Sequence, residues 1–360
     1  MPKRHRAIYP LVLAFAVGLG ACSDTTAPAD AGQLDADQTE ADFSALDGLL
    51  ETEAWESFGV LGELFPIGTG AANLSMSVRG AADLAQSGTT PTGRAFAREL
   101  MLSMTQLVPR IPLDVRGITF VIDPETLHYV PSDLTGAPET GVRFILYAIN
   151  PVTHKPIPDS PIGHADLIDL GDDLAQGVSL RFLVVSGDVT HLDYTVTAAR
   201  AVDIRSLDVS GFVSDGTTRM DFAITVGGTR NTDSTVTEVT FDLAIASRGF
   251  SAAATVRTVA RGDAESGTVD LELHIGDHVI TFVGSSAGGE VDAEVHIDGD
   301  LFATISGPER QPVIAGPDGR DLTEREVRAL RHILALSDRV FTIFEHLMRP
   351  VGHILTFNFR

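Results

Sequence analysis

The chain holds a single cysteine, Cys22, in 360 residues, so no disulfide can form within it. Aromatic residues are scarce: one Trp and four Tyr leave the total at 6%. That is little material for the exposed aromatic patch a glycan-recognition surface would need. Positive charge is also in short supply, with 26 Lys and Arg against 49 Asp and Glu and a net charge of −23. Such a balance repels phosphate backbones and anionic headgroups, which sets nucleic acid aside as a partner. After the N-terminal segment no apolar run approaches the ~20 residues a membrane-spanning helix needs. Catalytic signatures are missing too. There is no Gly-x-Ser-x-Gly elbow and no His-Glu-x-x-His, since Glu345-His346 lacks its second histidine. Gly68-Thr69-Gly70 does not complete a dinucleotide loop.

What is present begins at the N-terminus. Lys3, Arg4 and Arg6 precede an apolar stretch from Leu11 to Gly20, and Leu19-Gly20-Ala21-Cys22 follows. A basic start, a short apolar core and a small-residue cleavage site make a signal peptide. Its last residues resemble the lipobox of bacterial lipoproteins, and the resemblance covers residues 1–22. It implies cleavage before Cys22, a diacylglycerol on its sulfur and a further acyl chain such as palmitate on its amine. Two or more chains anchor stably where one is marginal. Ser23 rather than Asp after the cysteine resembles default sorting to the outer membrane. An ordinary secretory signal has the same three parts, but a lone cysteine just past the cut favours lipidation. Beyond Cys22 the chain has 23 basic residues against all 49 acids, a formal charge of −26. Membrane contact is therefore expected from the lipid rather than from a basic face.

Residues 23–42, rich in Ser, Thr, Ala, Asp and Gly, read as an acidic disordered linker. Residues 43–110 read as an N-terminal helical segment. Phe43, Leu46, Leu49 and Leu50 share one helical face, Trp55, Phe58 and Leu61 suit a second, and Phe96, Leu100, Met104 and Leu107 a third. Residues 111–307 change to period two. Leu192, Tyr194 and Val196 alternate with polar neighbours, as do Met220, Phe222, Ile224 and Val226, and then Val239, Phe241, Leu243 and Ile245. Such alternation marks strands with one buried face. Turn signals between them predict an antiparallel meander. The segment Gly267–Ile275 matches Gly289–Ile297, and each copy leads into a Gly-Asp or Asp-Gly turn and another apolar strand, so two consecutive hairpins are expected. Residues 308–360 read as a long C-terminal helix and tail packing on the β domain. Thr323 and Glu326 form its capping box, with Leu322 and Val327 as the staple. The fold class expected is mainly β (a β-rich α+β chain), an antiparallel meander forming a barrel or sandwich, flanked by N-terminal helices and a long C-terminal helix.

Two constellations offer chemistry. Asp270, Glu272 and His274 repeat as Asp292, Glu294 and His296, and alternate residues of a strand share a face. Carboxylate with imidazole suits a divalent metal such as zinc. A half-buried sheet places ordinary polar residues on the same positions, and the strand around Val279–Val283 is expected to separate the two triplets. The second constellation is a proline-rich loop with Pro151, Pro156, Pro158 and Pro161. It carries His154, with His164, Asp166 and Asp169 just beyond. A rigid connection between strands explains those prolines equally well.

The sequence thus points first to an exported lipoprotein on the bacterial cell membrane or outer membrane. Its β domain would be non-enzymatic, binding an envelope protein or an apolar small molecule, or acting structurally. No cofactor is expected beyond the lipid on Cys22. The alternative is a metal-dependent or other hydrolase on the His154–Asp169 loop or the Asp-x-Glu-x-His face.

Overall fold

The computed structural model describes residues 44–46, 48–61, 111–171, 178–200, 204–262, 264–309, 311–331 and 333–335. The signal segment with Cys22, the acidic stretch 23–42, the third helical face around Phe96 and everything after residue 335 lie outside the described residues.

Alternation in the sequence becomes strand after strand. β1 (Thr119–Ile122) and β2 (Tyr129–Ser132) are short; β3 (Gly141–Ile149), β4 (Pro156–Asp169), β5 (Val178–Ser186) and β6 (Val189–Arg200) follow. Next come β7 (Ile204–Ser214), β8 (Arg219–Arg230), β9 (Thr235–Ile245), β10 (Phe250–Arg261) and β11 (Ala264–Ile275). β12 (His278–Ala287), β13 (Glu290–Ile297), β14 (Asp300–Pro308) and β15 (Val313–Ala315) complete the set. All fifteen lie in one sheet, ordered β15 down to β3 and then β1 and β2. Only the β1–β3 contact is parallel and skips a strand.

The meander is as expected, but the barrel or sandwich is not. This is a single sheet that does not close, with β2 and β15 as its two edges. Turn residues specify which strands are neighbours. Closure depends on twist and stagger summed over all strands, and no single position carries that. Both edges are poor templates for further pairing. Pro131 interrupts β2, and the three residues of β15 sit between Pro312 and Pro317.

The repeated hairpins form as read. Gly276-Asp277 joins β11 to β12, and Asp298-Gly299 joins β13 to β14. Asp298 and Gly299 both have positive φ (54° and 87°), as do Gly288 and Gly289 (61° and 85°) between β12 and β13. Two successive positive φ values define the type I′ turn, whose twist matches the flanking strands.

One face of the sheet is apolar and buried from β3 to β14, including Leu146, Leu167, Leu180, Leu207, Leu243 and Val295. An aromatic file crosses it. Phe58, Phe182, Tyr194 and Phe222 follow one another at centroid distances of 6.4, 4.9 and 5.9 Å. Gly211 pairs with both Tyr194 and Phe222 and makes their approach feasible. A Cβ at 211 would run into the Tyr194 side chain and the Asp193 carbonyl. Phe58 belongs to helix α1 (Glu53–Leu61), which lies over β3 to β6. Its first turn is capped by Thr52, whose Oγ1 accepts from the Trp55 amide at 3.2 Å. Leu46, Leu49, Leu50, Trp55, Phe58 and Leu61 are all buried.

At the other end, residues 324–331 and 333–335 are helical. The capping box is reciprocal: Glu326 Oε2 accepts from the Thr323 amide at 2.8 Å, and Thr323 Oγ1 from the Glu326 amide at 3.3 Å. Arg320 grips the same carboxylate at 2.6 and 2.9 Å, and its guanidinium draws the Glu326 carboxyl down to about 2. Leu330 and Ile333 join the sheet's buried cluster.

Candidate functional site

The repeated triplets stand on β11 and β13, with β12 between them. Across that strand Asp270 meets Val283, and Val283 meets Glu294; one step along, Glu272 meets Thr281, and Thr281 meets His296. The copies are therefore offset by one residue pair and sit two strands apart, about 9.5 Å of backbone. Each histidine turns to its own strand instead. His274 Nε2 lies 2.7 Å from Glu272, and His296 Nε2 lies 3.1 Å from Glu294. Among the described residues no three His, Cys, Asp or Glu side chains are placed to hold one metal ion. What the register does bring together is Asp270, Asp292 and Glu294, around a shallow open depression over Gly284. Thr268 and Arg257 border it, and Val283 lies half-exposed in the middle.

The second constellation is not a loop. Pro156–Asp169 is strand β4, and the turn is confined to residues 150–155. Pro156 and Pro161 pair with β3 at register shifts, and β5 joins β4 only from His164 onward. The missing proline amides therefore interrupt no regular ladder, which is why strand tolerates them here. Asn150 sets the turn: its Oδ1 accepts from the amides of Val152 and Thr153 at 2.9 and 3.1 Å. His154 sits there in a left-handed conformation (φ 52°), exposed. His164 and Asp166 lie far along β4, so His154 does not join them.

Asp166 and Asp169 are instead held by arginines. Arg143 Nε and Nη2 donate to the two Asp166 oxygens at 2.7 Å each. This planar fork satisfies both oxygens of a carboxylate whose side chain is only 6% exposed. Arg116 donates to Asp169 at 2.6 Å. His164 stands 3.9 Å from Asp166, beyond hydrogen-bond reach. Burial, then the Arg143 charge, push its ionisation below the ordinary value against the pull of Asp166.

Sequence reasoning missed three features. Arg181 forks onto Asp193 at 2.6 and 2.7 Å. Arg219 stacks 3.8 Å from the Phe212 ring. Tyr194 is fully buried in the aromatic file with no partner for its hydroxyl among the described residues, and burial drives its ionisation far up. The first two depend on cross-strand register. For Tyr194 the alternation was readable, but nothing local marks the hydroxyl as unpaired.

No family model, no curated protein and no solved structure matches the chain.

Proposed function

We propose that this chain is a bacterial envelope lipoprotein, exported and held at a membrane by acyl chains on Cys22, whose sheet is a non-catalytic binding or structural domain. The observation that supports the scaffold reading is the packed apolar face. The Phe58–Phe182–Tyr194–Phe222 file interlocks a helix with the sheet, and Phe58, Phe182, Tyr194 and Phe222 are each at most 5% exposed. A face packed to that degree is a core rather than an open trough. The chemistry-bearing side chains lie dispersed, and several are engaged in pairs: Arg143 with Asp166, Arg116 with Asp169, His274 with Glu272 and His296 with Glu294.

The test is Cys22→Ala in a native envelope. Wild-type protein partitions with membranes and its N-terminal peptide gains the mass of the acyl chains. The variant leaves the membrane fraction, and unchanged membrane association sinks the lipoprotein reading.

A second reading, the carrier of an apolar ligand, draws on Tyr194. A fully buried hydroxyl without a partner carries an unmet hydrogen-bonding demand worth about 1–3 kcal/mol. A ligand with one polar atom and an apolar body would meet it on displacing neighbouring side chains. Lipid co-purifying with wild-type protein but not with Tyr194→Phe would favour the carrier over the scaffold.

A further inference from the structure

We propose that the tip of the β3–β4 hairpin, residues 150–157, seats on the lipid surface to which Cys22 tethers the chain. The proposal rests on the lipoprotein reading and adds an orientation to it.

Three independent observations carry it. The first is charge. Lys155 is the only lysine beyond Cys22, and no Asp or Glu occurs between Glu139 and Asp159. Within an acidic chain this stretch carries a positive charge and no acid, so it is not repelled by anionic headgroups. The second is exposed apolar surface. Val152 is 85% exposed and Ile157 39%, with Pro151 exposed beside them. Apolar side chains flanked by a lysine suit the headgroup boundary, where the alkyl stem is buried and the ammonium stays at phosphate level. The Asn150 turn holds these residues in one shape, so little ordering is lost on contact.

The third observation is position. Ser186 Oγ donates to the Ile162 carbonyl at 2.6 Å, so the β5–β6 turn, with Asp188, ends level with that residue. The stretch of β4 from Pro156 to Pro161 runs on past it without a partner on that side. Residues 22 to 44 reach up to about 75 Å when fully extended, long enough for the tip to meet the surface that holds Cys22.

The experiment uses the full lipidated chain with Val152→Cys, which supplies the one thiol not occupied by lipid. A polarity-sensitive dye is placed there, and the protein is reconstituted into vesicles of phosphatidylethanolamine and phosphatidylglycerol. Some of the lipid carries a spin-label quencher at the headgroup boundary. Blue-shifted, quenched emission is expected at 152. Thr232→Cys, exposed at the opposite end of the sheet, stays solvated. Lys155→Ala in the Val152→Cys background lowers the docked-to-free ratio about five-fold. Emission at 152 matching that at 232 on vesicle-bound protein overturns the tip and leaves the anchor standing. Failure to co-sediment with vesicles overturns the anchor reading instead. A shift that needs added envelope protein rather than lipid assigns the tip to a protein partner and also overturns the proposal.

Discussion

The sheet neutralises its polar face in two different ways at its two ends. Across β3 to β6, charges are paired between strands. Arg143 forks onto Asp166 and Arg181 onto Asp193, and an aromatic file under a helix backs the same strands. Across β11 to β14, two pairs lie within a strand, and another, His278 on β12 with Asp298 at 2.8 Å, crosses at the β13–β14 turn. His274 bonds Glu272 and His296 bonds Glu294, each two residues away and with an exposed glutamate. The first pattern ties neighbouring strands in one register. The second satisfies β11 and β13 by themselves, and those two pairs would survive a change of neighbour. Tertiary specificity is thus concentrated where α1 docks, and the repeated hairpins depend on their turns and their apolar face.

The largest expected break in this contrast is Phe182→Ala. It removes the centre of the aromatic file and should cost about 3–5 kcal/mol, whereas the half-exposed Val283→Ala should stay within about 0.5 kcal/mol. Denaturant unfolding of both variants checks it, and equal costs would erase the distinction between the ends. Next comes Asp166→Asn, which leaves Arg143 partly buried without its anion. About 2 kcal/mol should be lost, against less than about 0.5 for Glu272→Gln. The smallest effect is in pH. His164 ionises below its ordinary value when folded, so the unfolded chain binds more protons as the pH drops from about 6.5. Wild-type stability should therefore fall through that interval, and His164→Gln should flatten the slope, as urea unfolding at a series of pH values would show. Glu326 acts in a separate window. Its folded value of about 2 contributes stability above pH ~4.5 that is lost as pH falls towards 2.

Much of the fold was legible because its signals are local. The alternation of Leu192 to Val196 and Met220 to Val226, the turns at Asp298-Gly299, and the Thr323–Glu326 cap each concern residues a few positions apart. All appear as read. The prolines of β4 misled, because proline punctuates loops unless register shifts and a missing neighbour remove the demand for its amide. Barrel closure and the Arg–Asp forks were not legible, since both arise from relations between strands whose relative placement no local pattern encodes. Of the candidate site residues, the carboxylates at 270, 292 and 294 meet around one depression. The histidines of the two triplets lie outside it, which follows from the one-pair offset across β12, and the His154 turn belongs to β3 and β4, far along the strand order.

The order of the strands also bears on how such a sheet can be assembled. Nearly every strand finds its partner in the segment just before it, so the sheet can lengthen at its growing edge as residues become available. A chain that emerges N-terminus first, as in synthesis, would hold almost no completed strand waiting for a distant mate. Only β1 departs from that rule: it acquires β2 first and must keep its other edge open until β3 arrives.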